Sequence, residues 1–454
     1  MTMSKKLVSA AIMLALGAET FALPALANVP EAQVNRLGGD LTPIETEKAG
    51  EGDIPAWTGG LRTAPANYQK GKHLPDPFAE DAIKYTITPE NAAQYADVLS
   101  DGYKALLKAY PTYKMNVYPT RRSCAYPMHV YRATQNNARV GLLVGGGNGI
   151  SEAIMGFPFP IPNNALEIIW NHTLRYRSFK LSREFATAPV TRGGSYTLLK
   201  SQDEALLSWS DPSKKRAEEL NNVSLYYISH SIAPARAAGN VILVHETLNR
   251  AIEPRAAWQY SAGTRRVRRA PDISYDNPGQ NTDGLSTADA FDGFNGAPDR
   301  YNWTVIDKKP MIVAANDYKA TLAKYADLLQ PSHLNQDHVR YELHRVWHIE
   351  AKLKPGARHL YARRVYYSDE DNWSIANAEL YDSRGTLWRV QEEHSLAQYQ
   401  VPLCAFGASI VYDLREGRYL AQSMQNEQTP INFFDDSLNV NRYTPNAIKQ
   451  MGVR

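Results

Sequence analysis

The sequence is poor in cysteine and nearly balanced in charge. Cys124 and Cys404 are its only cysteines among 454 residues. Two thiols so far apart in the chain do not match the spacing of a zinc site. The formal net charge at pH 7 is only +3, which gives no electrostatic argument for binding nucleic acid. We therefore expect neither a zinc module nor a nucleic-acid partner.

Long apolar runs are missing after the N-terminus. A helix that spans a bilayer needs about 20 apolar residues, and no later segment reaches that length. The N-terminus carries Lys5 and Lys6, then an apolar run over 7–18 and small residues that end at Ala27. This pattern predicts a signal peptide, residues 1–27, cleaved after Ala27. Because the first cysteine is far from that site, we expect a periplasmic chain that has no transmembrane helix and is not a lipoprotein.

Common catalytic motifs are also missing. The sequence has no Gly-x-Ser-x-Gly elbow and no His-Glu-x-x-His helix. The glycine-rich segment 145–149 lacks the lysine of a phosphate-binding loop. Four aspartates crowd one loop with a spacing unlike that of a calcium-binding loop, and we interpret them as a polar, turn-rich segment: Asp283, Asp289, Asp292 and Asp299. We therefore assign no catalytic residue and no cofactor, and expect that the protein is not an enzyme.

The two cysteines leave two alternatives open. In an oxidising compartment Cys124 and Cys404 could form a disulfide that closes a very long loop, which stabilises the fold by about 4–5 kcal/mol in the entropic model. They could equally be two buried thiols, because the sequence gives no geometry.

Residues 28–130 predict an extended, proline-rich arm with short helices. Tyr-Pro pairs occur at 110–111, 118–119 and 126–127. Because proline favours an extended backbone before and at itself, we expect this part to lie along a surface. Thr88 and Pro89 are typical of a helix start and Pro111 of a helix end, with Gly102 dividing the segment into two short helices.

From about residue 181 apolar residues alternate, which is typical of β-strands. The pattern predicts strands over 196–199 and 241–246, with a helical piece over 214–232 between them. A hairpin is predicted from 256–260 and 265–269, and a short helix over 318–329. In the C-terminal third, tight turns separate four further segments, which predicts an antiparallel meander: 338–353, 360–367, 373–381 and 387–401. We therefore expect a mainly β protein built on a large antiparallel sheet.

The strand over 341–349 has two different faces. One is mostly apolar and carries Leu343 and Trp347; the other is mostly charged, and we expect it to be solvated. His344 and His348 on the charged face are weak metal candidates, because zinc needs three or four converging ligands, and we assign no metal site. Arg345 stands on the apolar face and must find a partner. That partner is either a carboxylate of a neighbouring strand or an anionic ligand head group.

The densest basic cluster lies in the predicted hairpin. Alternation along a strand sends its arginines to both faces. The cluster is therefore either a solvated or salt-bridged strand or a contact for an acidic partner or lipid head groups. Its members are Arg265, Arg266, Arg268 and Arg269.

Seven stretches of the sequence together resemble the bacterial domain of unknown function 1329. The resemblance covers essentially the whole mature chain. The stretches are Ile54-Pro55-Ala56-Trp57-Thr58-Gly59-Gly60, Phe157-Pro158-Phe159-Pro160-Ile161-Pro162, Ile169-Trp170-Asn171-His172, Val244-His245-Glu246-Thr247, Trp258-Gln259-Tyr260 with 265–271, Phe294-Asn295-Gly296-Ala297-Pro298-Asp299-Arg300-Tyr301, and Tyr341-Glu342-Leu343-His344-Arg345-Val346-Trp347.

The resemblance implies a relation to outer-membrane lipoprotein-sorting proteins of the LolA/LolB type. It implies an open half-barrel of antiparallel strands over residues 131–454, with helices at its mouth and an apolar cavity for acyl chains. Members of the family also resemble accessory parts of envelope export systems, encoded beside an outer-membrane β-barrel protein and an inner-membrane exporter. The family has no established catalytic residues, so none is carried over to this chain.

Three functional hypotheses follow. The first is a periplasmic carrier or chaperone for a lipid or another hydrophobic small molecule in outer-membrane transport. For this function we expect Trp258, Tyr260, Leu343 and Trp347 to line the ligand site and Arg345 to bind the head group. The second is a non-catalytic docking subunit of an envelope export system. The third is a metal-dependent hydrolase that uses His344 and His348.

Overall fold

The computed structural model describes residues 29–270 and 275–453. The expected signal peptide and its cleavage site lie outside these residues. Most strands join in one large sheet that does not close into a barrel, and helices are few. The prediction of a mainly β protein with an open sheet is confirmed.

The elements of the described residues have the following bounds. The strands are β1 (Tyr85–Ile87), β2 (Met115–Val117), β3 (Leu142–Val144), β4 (Gly149–Ser151), β5 (Lys180–Val190), β6 (Leu199–Leu206), β7 (Val223–Ala233), β8 (Val241–Thr247), β9 (Ala256–Ser261), β10 (Arg266–Arg269), β11 (Tyr301–Ala314), β12 (Tyr341–Leu353), β13 (Arg363–Asp369), β14 (Ile375–Tyr381), β15 (Leu387–Gln398), β16 (Leu403–Asp413) and β17 (Arg418–Met424). The helices are α1 (Glu31–Val34), α2 (Asp101–Ala109), α3 (Met128–Val140), α4 (Ala165–Leu174), α5 (Tyr318–Leu322), α6 (Tyr325–Leu328) and α7 (Pro445–Val453).

The large sheet runs in the order β1-β2-β12-β13-β14-β15-β16-β17-β5-β6-β7-β8-β9-β10, and β11 pairs with β12. Its neighbours are antiparallel, except that β12 meets β2 in a parallel bridge. Strands β12–β17 follow the chain as a meander, and β5–β10 form a second meander that joins the first where β17 pairs with β5. The predicted C-terminal meander and the predicted hairpin, now β9 and β10, are confirmed.

Four local predictions are wrong. The strand expected over 196–199 begins only at Leu199, as β6, and Gly102 lies inside α2 rather than between two helices. The segment expected to be helical over 214–232 contains β7, an eleven-residue strand. Both faces of β7 are in contact with other parts of the chain, so its apolar residues do not alternate cleanly and its period is ambiguous. The expected helix over 318–329 is divided into α5 and α6. In addition, the thirteen-residue helix α3 was not foreseen.

The N-terminal arm, expected over residues 28–130, lies along the sheet from residue 29 to the start of α3 at Met128. The Trp373 Nε1 donates a hydrogen bond to the Ile44 carbonyl at 3.1 Å. The Tyr103 hydroxyl of α2 donates to Glu392 Oε1 at 2.8 Å. A disulfide joins Cys124 near the end of the arm to Cys404 on β16, with the two Cα atoms 5.6 Å apart. Of the two alternatives that the sequence left open, the structure has the disulfide.

The charged face of β12 is buried at Glu342 and His344 and only partly exposed at His348 and Glu350, which corrects the expectation of a solvated face. The Glu342 side chain is fully buried. Glu342 Oε1 accepts a hydrogen bond from Arg340 Nε at 2.6 Å, and its Oε2 accepts one from the Arg121 backbone N–H at 2.7 Å. The N-terminal arm covers this face, and ion pairs compensate the buried carboxylates. Alternation alone does not tell whether a polar face meets water or a second polar layer.

The second meander packs against the C-terminal helix. Tyr260 on β9, Leu243 on β8 and Ile448 on α7 belong to one buried cluster. Among residues 29–270 and 275–453, no helix combines the length and apolar character that crossing a membrane requires.

Candidate functional site

A cavity of about 630 Å³ lies on the face of β5–β9 opposite to α7. Its floor is formed by these strands. Its roof is formed by residues from 277–295, here called the roof segment, and by Ile431 and Phe433 near the C-terminus. Pockets for small molecules usually have volumes of about 300–1,000 Å³, so this cavity is large enough for a ligand.

Strand register decides which side chains form the floor. Leu181 on β5 is opposite Ala205 on β6, and Tyr227 on β7 is opposite Val244 on β8. Because side chains at every second position of a strand share a face, these residues lie together on the cavity side. Further apolar residues lining the cavity are Phe185, Leu225, Ile242 and Phe291.

The expected lining residues of β9 lie on the other face. Gln259 lines the cavity, whereas Trp258 and Tyr260 belong to the cluster that packs on α7. A shift of one position along a strand exchanges the two faces. The sequence identified the correct strand but not the face that the cavity uses.

The three expected residues of β12 also lie away from this cavity. Leu343 packs against the core that includes α2. Arg345 Nε donates to Glu370 Oε1 at 2.6 Å, which is the carboxylate partner that its apolar surroundings require. The ring of Trp347 stacks on Trp373 with centroids 6.2 Å apart. The cavity therefore brings together none of the five residues expected to line a ligand site.

His344 and His348 have different partners. His344 Nδ1 lies 2.6 Å from Asp369 Oδ2, and its Nε2 lies 3.1 Å from Glu342 Oε2. Burial lowers the pKa of His344, but these two carboxylates outweigh it and raise the pKa well above its usual range. His348 instead pairs with Asp307 at 3.1 Å, so the two histidines share no ligand site in this arrangement.

The roof segment is fixed to the sheet at several points. Asp289 accepts hydrogen bonds from Arg364 Nη2 on β13 at 2.7 Å and from the Thr287 hydroxyl at 2.7 Å. At the other end of the segment, Gln280 Nε2 donates to the Ser231 hydroxyl of β7 at 3.0 Å. The roof is thus attached both to the first meander and to the far end of the cavity floor.

The two ends of the cavity differ in charge. At the end where β5, β7 and β9 begin, the cavity is lined by Arg177, Glu246 and Arg255. At the opposite end of the same strands the polar lining is uncharged: Thr187, Ser201, Ser229, Asn240 and Gln259. We call the first the arginine end and the second the neutral end.

Carboxylates at the arginine end are shared between arginines. Asp292 Oδ2 accepts from Arg177 Nη1 at 3.1 Å, and its Oδ1 accepts from Arg175 Nη2. Burial opposes ionisation of Asp292, but the arginines outweigh it and hold the pKa of Asp292 below its usual value. Glu246 similarly contacts both Arg250 and Arg255. Each carboxylate is therefore ionised and engaged by two guanidinium groups.

The backbone of Asp292 is held by a neutral histidine. The Asp292 carbonyl accepts from His172 Nε2 at 2.7 Å, and His172 Nδ1 accepts from the Ile375 N–H at 3.0 Å. Burial and the nearby Arg175 lower the pKa of His172 to about 3. A neutral ring with its proton on Nε2 fits both contacts. Helix α4, which carries His172, thereby positions Asp292 and the adjacent Arg175.

An ion pair lies between the two ends on the cavity floor. Arg183 on β5 is directly opposite Asp203 on β6, and Arg183 Nη2 donates to Asp203 Oδ2 at 3.0 Å. Asp203 is almost completely buried. The attraction between the two side chains compensates the cost of removing both charges from water. Because the two charges are opposite, the pair adds no net charge to the middle of the cavity.

The sequence reasoning missed most of these residues. Asp292 belonged to the aspartate-rich loop that was interpreted as a polar turn, and Glu246 lay in a family-like stretch without an assigned role. One signal was present in the sequence: arginines 175, 177, 250 and 255 lie just outside β5, β8 and β9. Only the tertiary structure shows that these strand ends meet at buried carboxylates.

Comparison with known proteins identifies the family. The model of the family described as "Protein of unknown function (DUF1329)" matches residues 86–449. The chain belongs to the DUF1329 family. An uncharacterized protein of Pseudomonas aeruginosa is 46% identical over 444 residues, which is 97% of each chain. The family resemblance expected from the sequence is confirmed, and the DUF1329 match includes the cavity.

Three solved structures are similar at low sequence identity. A domain named for outer membrane lipoprotein sorting from Vibrio parahaemolyticus is 14% identical, with a TM-score of 0.43 over 63% of this chain and 98% of the other. A DUF1329 family protein from Desulfovibrio piger is 14% identical, with a TM-score of 0.39 over 60% and 92%. A LolA superfamily protein from Nitrosomonas europaea is 12% identical, with a TM-score of 0.37 over 62% and 98%.

Proposed function

We propose that this protein is a carrier for an amphipathic, lipid-like molecule that occupies the cavity above β5–β9. The observation that carries the proposal is a roofed cavity of about 630 Å³ with polar residues at its ends and, apart from the Arg183–Asp203 ion pair, mainly apolar residues between them. Burial of one methylene group contributes about 0.8 kcal/mol. An acyl or comparable apolar chain would therefore bind along the floor, and its polar part would lie at one end.

The function does not require a catalytic group. The cavity floor is made of strands whose charged residues are engaged in ion pairs, such as Arg183 with Asp203. We do not propose the metal-dependent hydrolase that uses His344 and His348 together, because the two histidines have separate partners, Asp369 and Asp307.

Extraction of the purified protein tests the proposal. We expect organic solvent to release a lipid-like molecule in about stoichiometric amount, identified by mass spectrometry. Val244→Trp places an indole on the cavity floor and should remove the bound molecule. Ile252→Trp adds the same group at a position that is 78% exposed and should retain it. If the wild-type protein carries no such molecule and binds no added long-chain amphiphile, the carrier function is wrong.

We further propose that the carrier works in the periplasm after removal of residues 1–27. The N-terminal sequence has the pattern of a signal peptide, and disulfides such as Cys124–Cys404 persist in oxidising compartments. Intact mass of the protein recovered from the periplasm of a Gram-negative host should correspond to a chain that begins at Asn28. A full-length mass in the cytosolic fraction would contradict this location.

A second candidate function is a docking subunit for an outer-membrane β-barrel protein or an inner-membrane exporter. It is favoured by β10, which ends the sheet order and exposes Arg266, Arg268 and Arg269. Exposed strand edges pair with partner segments, and arginines attract acidic ones. Arg266→Glu with Arg268→Glu should abolish co-purification with a solubilised β-barrel protein. The exposed Lys354→Glu should not.

A further inference from the structure

At the arginine end of the cavity, the group of Arg175, Arg177 and Asp292 carries a net positive charge. Arg175 and Arg177 share a single carboxylate, that of Asp292. Arg175 is fully buried, whereas 25% of the Arg177 side chain is exposed and it lines the cavity. In this three-residue group, two guanidinium charges face one carboxylate charge.

Among residues 29–270 and 275–453, the acidic side chains near this group add no free negative charge. Glu393 approaches from β15, where its Oε1 accepts from the Gly293 N–H at 3.1 Å. Burial, together with the nearby Asp292, raises the pKa of Glu393 to about 8, so this side chain is mostly uncharged at neutral pH. Asp203 is engaged by Arg183, and Glu246 by Arg250 and Arg255.

Arg177 itself keeps unused hydrogen-bonding capacity. Its guanidinium has five N–H donors. Within residues 29–270 and 275–453, it donates to Asp292 at 3.1 Å and to the Thr173 carbonyl at 3.3 Å. Burial and the adjacent Arg175 lower the pKa of Arg177 to about 10, which leaves it charged at neutral pH. A partly desolvated cation that borders a cavity binds an anion more strongly than a solvated one does.

We propose that the molecule held in the cavity has an anionic head group, a carboxylate, phosphate or sulfate, which binds Arg177 at the arginine end. This inference rests on the proposed carrier function and adds the chemical class and the orientation of the guest. The apolar chain then lies over Tyr227, Ile242 and Val244 and points toward the neutral end. Asp292 positions Arg177 for the head group, and the Arg183–Asp203 pair remains intact beneath the chain.

Amphiphiles with the same twelve-carbon chain and different head groups test the inference. Binding of dodecanoate, dodecyl phosphate, dodecyl sulfate, dodecanol and dodecyltrimethylammonium to the delipidated, full mature chain is measured by calorimetry below their micelle concentrations. We expect at least one anionic ligand to bind about tenfold or more tightly than dodecanol, as for a charge-assisted hydrogen bond. Whichever of the three anions binds most tightly identifies the head-group chemistry. Inorganic phosphate and sulfate alone should bind far more weakly.

Variants at one position assign the effect to Arg177. Arg177→Gln should remove the preference for the anionic ligand while dodecanol affinity changes by less than about twofold, because Asp292 keeps its contact with Arg175. Arg177→Lys keeps the charge and should retain part of the preference. Arg384→Gln removes the same charge from the exposed turn between β14 and β15 and should leave the preference unchanged. Thermal unfolding of each variant verifies that it is folded.

Distinct outcomes overturn the two proposals separately. If dodecanol binds as tightly as the anions, or if the preference survives in Arg177→Gln, the anionic head-group site is wrong and the carrier function stands. If inorganic phosphate or sulfate binds as tightly as its dodecyl ester, the site accepts a free anion rather than a head group. If dodecanol and all other ligands fail to bind, the carrier function is itself wrong.

Discussion

Asp289 of the roof segment accepts a hydrogen bond from Arg364 of β13 at 2.7 Å, and both side chains are almost completely excluded from solvent. Asp289 also contacts His359 at 2.9 Å. Removing one partner of a buried ion pair leaves an uncompensated charge. This contact fixes the roof of the cavity to the first meander.

We expect Asp289→Asn to lower the free energy of unfolding by about 3 kcal/mol, because Arg364 then remains buried without its carboxylate. Urea unfolding monitored by tryptophan fluorescence measures the loss. Asp283→Asn is the matched control in the same segment. Asp283 is 65% exposed and pairs with Arg418, so its replacement should cost less than about 1 kcal/mol. Equal effects of the two substitutions would show that the buried pair does not hold the roof.

The disulfide should contribute measurably to stability. Replacing Cys124 and Cys404 together by serine removes the constraint on a loop with 280 residues of sequence separation. We expect the free energy of unfolding to fall by about 2–5 kcal/mol, mainly through the greater freedom of the unfolded chain. Reduction of the wild-type protein should have the same effect, and reductant should not affect the double variant. A variant as stable as the oxidised wild type would contradict this expectation.

Glu393 should make the protein less stable as pH rises. Burial first, and then Asp292, raises the pKa of Glu393 from 4.5 to about 8 in the folded state. The stability that the protonated Glu393 side chain contributes to the folded state is fully present below pH 4.5 and is lost as pH rises through about 8. Glu393→Gln cannot ionise, so its stability relative to wild type should increase over this range by up to about 1.4 kcal/mol per pH unit. Unfolding at pH 5, 7 and 9 measures this difference.

Glu416→Gln is the control for the pH experiment. Glu416 is 61% exposed, so its replacement should leave the pH dependence of unfolding as in the wild type. A difference between Glu393→Gln and wild type that is constant from pH 5 to pH 9 would show that Glu393 does not titrate in this range.

Affinity for the guest should increase with the length of its apolar chain. Each buried methylene contributes about 0.8 kcal/mol, so two more methylenes should tighten binding about tenfold until the cavity is filled. Calorimetry with alkanols of six to fourteen carbons measures this series. In Val244→Trp the increase should stop at a shorter chain than in Ile252→Trp. Affinity that does not depend on chain length would contradict a guest laid along β5–β9.

The meander of the C-terminal third could be predicted because its turns and its strand lengths are local properties. The hairpin of β9 and β10 follows from the same signals around Ser261-Ala262-Gly263. Strand β7 could not be recognised in this way. Its Tyr226 and Ile228 pack toward α7 while Tyr227 lines the cavity, so both faces carry large apolar side chains and no clear period remains.

The candidate site was less predictable than the fold. Trp258 and Tyr260 were expected to line a ligand site because they are large and aromatic, yet their size serves the contact with α7. Gln259 between them faces the cavity. Arg345 was correctly expected to need a partner, and Glu370 fills that need. Whether that partner was a carboxylate or a ligand depended on a turn whose position the sequence does not give.

The family, the mainly β character and the order of the C-terminal strands could be read from the amino-acid sequence, because motifs, turn residues and alternation act over a few neighbouring residues. Three features required the folded chain: the pairing of Cys124 with Cys404, the face of β5–β9 that borders the cavity, and the contact of Arg175 and Arg177 with Asp292. These relationships join residues more than a hundred positions apart or depend on a one-residue register. Packing of the whole chain, rather than any local preference, selects among the alternatives.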